Sequence, residues 1–187
     1  VRNTPKKQYE ALINDPRVIG LDDPAYINAV NPLRTATGLP ALSLTKPADF
    51  SGDWVLNEDK SMLDNSGAAN LPAKLKIVQN GNEMSVQSSY IEEWEDDRIT
   101  NEKLLLNSEE TKSTYYNSPK TTTANLSANK DTLTVSSKVI FNFGGQTSQM
   151  TTTETWNIQN HGKVLSITQS SHSQRGERKI TMVYEKQ

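Results

Sequence analysis

From Phe50 to the end of the chain, apolar and polar residues alternate in short runs separated by Gly-, Asn-, Asp- and Ser-rich turns, and no helical period persists. A period of two is the pattern of a half-buried strand, and turns of this chemistry join antiparallel neighbours. The pattern predicts ten strands, near 53–57, 73–79, 83–93, 98–107, 110–117, 119–127, 131–142, 147–159, 163–173 and 177–186. The clearest turns are Asn80-Gly81-Asn82, Ala128-Asn129-Lys130-Asp131, Gly144-Gly145, Asn160-His161-Gly162-Lys163 and Gln174-Arg175-Gly176. The stretch 110–120 carries the weakest alternation. Regular hairpins with few helical signals predict an all-β fold, an antiparallel up-and-down barrel of about ten strands, with a two-sheet sandwich as the alternative.

The inward positions change character along each strand. One face of 83–93 holds Met84, Val86, Ser88 and Tyr90, and the next strand returns with Thr100, Glu102, Leu104 and Leu106. Strand 131–142 offers Leu133, Val135, Ser137, Val139 and Phe141, answered by Met150, Thr152, Glu154, Trp156 and Ile158. The last pair contributes Leu165, Ile167, Gln169 and Ser171, then Ile180, Met182 and Tyr184. If the strands run up and down, the apolar members gather beside the turns at 80–82, 128–130 and 160–162. The polar members gather at the opposite end. That describes a barrel with a dry floor and a wetter upper half, wide enough at this strand number to hold an internal cavity. The competing description is a filled sandwich, and a register slip of one residue would turn the whole inward set outward.

Six of the eight prolines fall before residue 48, a density that argues against long helices and central strands there. Two short helices fit between them. Residues 6–14 (KKQYEALIN) set Tyr9, Leu12 and Ile13 at helical spacing, and Asp23-Pro24 reads as an N-cap followed by proline at the first helical position, leading into Ile27 and Val30. Residues 35–46 read as an extended linker. The chain thus divides into an N-terminal arm, 1–48, and a barrel, 49–187; the arm packs on the barrel, occludes it or hangs free.

Composition narrows the chemistry. Cysteine is absent, which removes disulfides, zinc–thiolate sites and thiol catalysis. Twenty Lys and Arg balance twenty-two Asp and Glu, so no basic field recruits nucleic acid. Mean hydropathy is −0.68, and no apolar run nears the ~18 residues of a membrane span. A chain that begins at Val1 and is rich in Ser, Thr and Asn leads to the expectation of an exported protein, periplasmic, outer-membrane-associated or secreted, whose leader lies outside this sequence.

The barrel opens on Asp49-Phe50-Ser51-Gly52-Asp53-Trp54-Val55-Leu56-Asn57 and soon reaches Lys60-Ser61. A Gly-x-Trp that opens the first strand of an antiparallel meander resembles the lipocalin and calycin signature. The longer string is similar to that of lipocalin-like proteins exported by Bacteroidetes and related bacteria, whose barrels close on a segment similar to Val183-Tyr184-Glu185-Lys186-Gln187. The resemblance covers about 50–187. It implies that Gly52 and Trp54 build the closed floor, with Trp54 as a structural plug under a basic residue of the last strand. Lys186 stands near that place, whereas Arg178 lies at the strand's other end. A cation over the ring would be worth ~0.5–1 kcal/mol where exposed.

Catalysis has few candidates. His161 falls in a turn and His172 on the outward face; no nucleophile elbow, zinc-protease or phosphate-loop motif occurs, and no metal or cofactor site is expected. Glu102 and Glu154 share the interior and would be the acid–base pair of an enzyme, but a polar upper wall accounts for them. The acidic run Glu92-Glu93-Trp94-Glu95-Asp96-Asp97 has no calcium-loop spacing and reads as a solvated turn at the mouth. Tyr115, Tyr116, Phe141 and Phe143 add aromatics at that end, suited to an amphipathic ligand or to docking the arm. The sequence therefore leads to non-catalytic binding of a small, partly apolar or amphipathic molecule. Tyr90, Phe141, Thr152, Glu154 and Gln169 form its wall, and Trp94 and Phe143 its mouth. The alternative is a cell-envelope structural or interaction module whose barrel is filled and whose arm or acidic hairpin engages another protein.

Overall fold

The computed structural model describes residues 24–39, 41–42, 47–65, 67–92, 96–128, 130–174 and 176–187. Among the described residues one α-helix, α1 (Pro24–Ala36), precedes ten strands: β1 (Gly52–Leu56), β2 (Lys74–Asn80), β3 (Glu83–Tyr90), β4 (Arg98–Leu105), β5 (Thr111–Tyr115), β6 (Ser118–Leu126), β7 (Thr132–Phe143), β8 (Gln146–Gln159), β9 (Val164–Ser173) and β10 (Gly176–Lys186). All pair antiparallel in one sheet, ordered β4-β3-β2-β1-β10-β9-β8-β7-β6-β5. Because β1 pairs with both β2 and β10, the meander curls round on itself. The expected ten-stranded up-and-down barrel is the fold, with β4 and β5 left as facing edges.

The alternation holds its register. Leu133, Leu165, Ile167, Ile180 and Met182 are buried, as is Val139 nearer the mouth, whereas Tyr90, Thr152, Glu154 and Gln169 are only partly so. Three strand ends fall short of expectation by two residues or more, β4 among them, which stops at Leu105 rather than at 107. β3 stops at Tyr90 rather than at 93, and β5 stops at Tyr115 because Tyr116 (φ 45°) and Asn117 (φ 61°) form a two-residue left-handed turn. Tyrosine rarely adopts that backbone, so its side chain gave no turn signal. Gly144 (φ 57°) and Gly145 (φ 80°) make the matching turn between β7 and β8 with the residues such a turn ordinarily uses.

The floor is built from the approach to β1. The Ala48 N–H donates to the Lys130 carbonyl, while Gln79 accepts from the Phe50 N–H and donates to the Ala48 carbonyl. This carries the chain beneath the barrel. Phe50 is fully buried edge-on to Trp156, and the Trp54 indole donates to the Phe50 carbonyl at 3.0 Å. Lys186 Nζ stands 5.1 Å from the Trp54 ring centroid. Gly52 has φ 144°, and a Cβ there would overlap Lys186 Cε. The glycine two residues before the tryptophan is therefore what lets the lysine stem cross to the ring.

Two expectations about the arm are corrected. α1 runs for 13 residues straight through Pro32, whereas the proline density argued for shorter pieces. Pro32 is exposed, so its missing N–H removes one helical bond without burying a polar group. Residues 35–36, expected in a linker, are helical, and the helix closes on a Schellman motif. Gly38 (φ 72°) donates to Thr35 O, and Leu39 donates to Arg34 O. Asn31 then clasps the returning chain, donating to Leu42 O and accepting from Leu42 N. Ile27 and Arg34 are buried. The helix expected over 6–14 lies outside the described residues.

Candidate functional site

Above the floor lies a cavity of about 300 Å³, at the lower end of small-molecule sites. Its lower half is apolar, from Leu75, Val86, Leu104, Ile167 and Met182. Its upper half carries polar groups beside Val139 and Met150, and there Tyr90, Thr152, Glu154 and Gln169, four of the seven residues expected from the sequence, line one space. Phe141 is not among the lining residues; it stands edge-on to Tyr115 at 6.5 Å, and Tyr115 faces the cavity in its place. Phe143 ends β7 with a side chain outside the description, and Trp94 lies outside the described residues. No described residue of the arm lines the cavity.

Glu154 sits where the dry and wet halves meet. It is one inward step above Trp156 and pairs across the sheet with Val135 and Gln169. Its carboxylate accepts from the Trp156 indole at 2.9 Å and from the Gln169 amide at 2.8 Å. Tyr90 is held above its ordinary phenol range, first by burial, with the Glu154 charge adding to it. Burial, and then the same charge, pushes Tyr184 far higher.

The open seam between β4 and β5 is closed by contacts at three heights. At the floor, Asn107 bridges Asn125 and the Ser108 N–H donates to the Ala124 carbonyl. At mid-height, Glu102 accepts from Lys120 Nζ and Thr122 Oγ1, both at 2.8 Å. At the mouth, the Arg98 guanidinium lies 3.8 Å over the Tyr90 ring and 5.3 Å from that of Tyr116. The middle contact is half-buried, so its loss is felt. Glu102→Gln is expected to cost about 1–2 kcal/mol, because Lys120 loses its charged acceptor in a sheltered position. Urea titration would show this as a lower midpoint at unchanged slope; an unmoved midpoint would mean the seam holds without Glu102.

The remaining wall is irregular chain. After β1, the segment climbs beside β10, with Met62 bridging Thr181 and Arg178 donating to both oxygens of Asp64. It then descends through Asn70, Leu71 and Pro72, which line the cavity. The Tyr184 hydroxyl donates to the Pro72 carbonyl at 3.0 Å and so ties this cover to the floor. No periodic signal marks these residues. Arg98 was not expected at the site, although a signal for it exists: it continues the inward alternation of Glu102 and Thr100 by one more step.

The exposed groups hold to their expected places. His161 lies in the turn after β8, and His172 sits 3.6 Å from Glu177 on the outer face. Glu92 pairs with Arg98 at 3.1 Å, while 93–95 fall outside the described residues. Among the described residues no cluster of three His, Asp or Glu is placed to hold a metal, and no helix is long and apolar enough to cross a membrane.

The sequence matches no family model and no curated protein. Its fold is similar to that of solved barrels. Zebrafish ileal bile acid-binding protein, crystallised with cholic acid, superposes with a TM-score of 0.51 at 14% identity, over 74% of this chain and 98% of that one. A secretory abundant heat soluble protein from Ramazzottius varieornatus superposes with a TM-score of 0.50 at 15% identity, over 78% of this chain and 99% of that one. At such identity the likeness is one of fold: an antiparallel up-and-down β-barrel.

Proposed function

We propose that this protein binds a small, partly apolar molecule inside the barrel and does no chemistry on it. One observation carries the reading: a cavity of about 300 Å³ whose lower half is apolar and whose upper half presents a few polar groups, the usual construction of a small-molecule site. The cholic acid held by the zebrafish barrel of similar fold supports it. Burying about 200 Å² of apolar ligand at ~25 cal/mol per Å² grosses about 5 kcal/mol. Micromolar affinity corresponds to about 8 kcal/mol, so the polar wall must supply the rest.

An acid–base enzyme fits less well, because Glu102 is engaged by Lys120 and Thr122, and Glu154 by Trp156 and Gln169. A filled interaction module fits less well for want of a filled interior. The proposal also keeps the exported setting and the likeness to Bacteroidetes lipocalin-like proteins, on the strength of the 49–57 string and the terminal segment.

Native mass spectrometry of the purified protein, beside the same sample denatured and extracted with organic solvent, tests the reading. A mass excess that denaturation releases is expected, together with uptake of the neutral dye N-phenyl-1-naphthylamine by the delipidated protein. A clean apo mass and no dye uptake would return the barrel to a structural role.

A further inference from the structure

The charges around the cavity are not evenly matched. Three cations line it, and each meets an acid: Arg98 pairs with Glu92, Lys120 with Glu102, and Arg178 with Asp64. Glu154 is the fourth acid. Its acceptor sites are partly met by two neutral donors, Trp156 and Gln169, and among the described residues no cation reaches it. A carboxylate drawn out of water is costly unless paired, and two neutral N–H groups leave its charge in place. Each carboxylate oxygen can accept more than one hydrogen bond, so Glu154 keeps acceptor capacity toward the cavity.

Its position along β8 adds to this. Trp156, one inward step below, is buried in the floor, and Thr152, one step above, belongs to the wet wall. A charged head at Glu154 therefore lies one inward step above Ile167 and Met182, at the upper edge of the apolar patch that they form with Leu75, Val86 and Leu104. One molecule can reach both. The cations that would welcome an acidic head stand instead at the seam and the rim, already paired.

We propose that the occupant of this barrel is an amphiphile with a protonated amine, whose ammonium group donates to Glu154 while its hydrocarbon lies on the apolar lower wall. This rests on the reading of the barrel as a small-molecule carrier and names the class of molecule carried. Gln169 is the positioning residue: its amide fixes the Glu154 carboxylate from the neighbouring strand, leaving the remaining acceptor directions toward the ligand.

Calorimetric titration with three probes of equal chain length separates the outcomes: octylamine, octan-1-ol and octanoate, at neutral pH and low salt. Octylamine is expected to bind at least tenfold more tightly than octanoate, with octanol between them. In Glu154→Gln, which keeps the shape and removes the charge, the new side-chain oxygen still accepts from Trp156 and the new NH2 donates to a flipped Gln169 amide, so the amine's advantage over octanol should vanish while octanol binding stays within about twofold. Octanoate binding as well as octylamine, or an amine preference that survives Glu154→Gln, would overturn the assignment and leave the carrier reading standing. Failure of all three probes to bind would remove the carrier reading itself. The wild-type series is decisive even if the variant does not fold, and circular dichroism of Glu154→Gln shows whether it does.

Discussion

Trp54→Ala is expected to destabilise the barrel by about 3–5 kcal/mol, the range for truncating a large, fully buried aromatic. Trp54 is 1% exposed and joins Phe50, Leu75 and Tyr184 in one core cluster. The surrounding backbone cannot collapse onto the space, because it is pinned. Ala48 is tied to Lys130, Gln79 holds Ala48 and Phe50, and β1 is laddered on both sides. Against a typical total stability of about 5–15 kcal/mol this is a large share, and for a chain of this size it corresponds to a melting point lower by roughly 6–20 °C. Trp54→Phe separates volume from polarity. It keeps most of the buried area but leaves the Phe50 carbonyl without its indole donor, for about 1–2 kcal/mol. Thermal and urea unfolding of the two variants would measure both contributions. A loss below 1 kcal/mol for the alanine variant would show that Trp54 is not the plug the floor depends on.

That floor was legible in the sequence because its signals are local. Gly-x-Trp is short, and the glycine has a physical cause that the structure supplies: a lysine stem occupies the space of its missing side chain. The inward set was legible for a similar reason. Alternation is a property of consecutive residues, and with one face buried a slip of register would expose Leu133, Leu165 and Ile167 together. Features that depend on distant partners were not legible. Nothing near Glu102 announces that Lys120 and Thr122 will face it across an unpaired seam, 18 and 20 residues on. The cover made by Asn70, Leu71 and Pro72 has no period to detect, and it is placed by the Tyr184 hydroxyl, 112 residues beyond Pro72.

The same division runs through the candidate site. Thr152, Glu154 and Gln169 sit mid-strand and Tyr90 ends β3, all still within the ladders where alternation alone assigns a face, and they line one cavity. Phe141 follows the same parity, yet at the strand's upper end the β5–β6 hairpin places Tyr115 between it and the interior, and parity cannot report which ring intervenes. That hairpin is set by a left-handed Tyr116-Asn117 pair, and a turn made of unusual residues hides the position of everything it carries.

Alkali should unfold this protein through its core tyrosine. Tyr184 is fully buried; its hydroxyl donates to the Pro72 carbonyl and touches Met182 Sδ at 3.7 Å. A phenolate there would lose its water, could not donate to Pro72 and would face the Glu154 charge, so burial first and Glu154 second hold its pKa far above the ordinary value of 10. In the unfolded chain tyrosine ionises near pH 10. The folded value is the raised one, so the stabilisation is complete below about pH 10 and is lost as the pH climbs beyond it. One proton's difference is a slope of about 1.4 kcal/mol per pH unit, or about 2 kcal/mol from Tyr184 alone by pH 11.5, and Tyr90 and Tyr115, raised first by burial as well, steepen the fall. Absorbance at 295 nm and circular dichroism at 218 nm, followed together against pH, would show part of the phenolate signal emerging only as the strands are lost. Tyr184→Phe should start about 1–2 kcal/mol less stable at neutral pH, with the Pro72 carbonyl left unsatisfied, and decline less steeply above pH 10. If all six tyrosines titrate while the strand signal stays intact, the hydroxyl is not sealed in the core. The cover over the cavity would then have to be held by the Arg178–Asp64 pair and the Met62–Thr181 bridge instead.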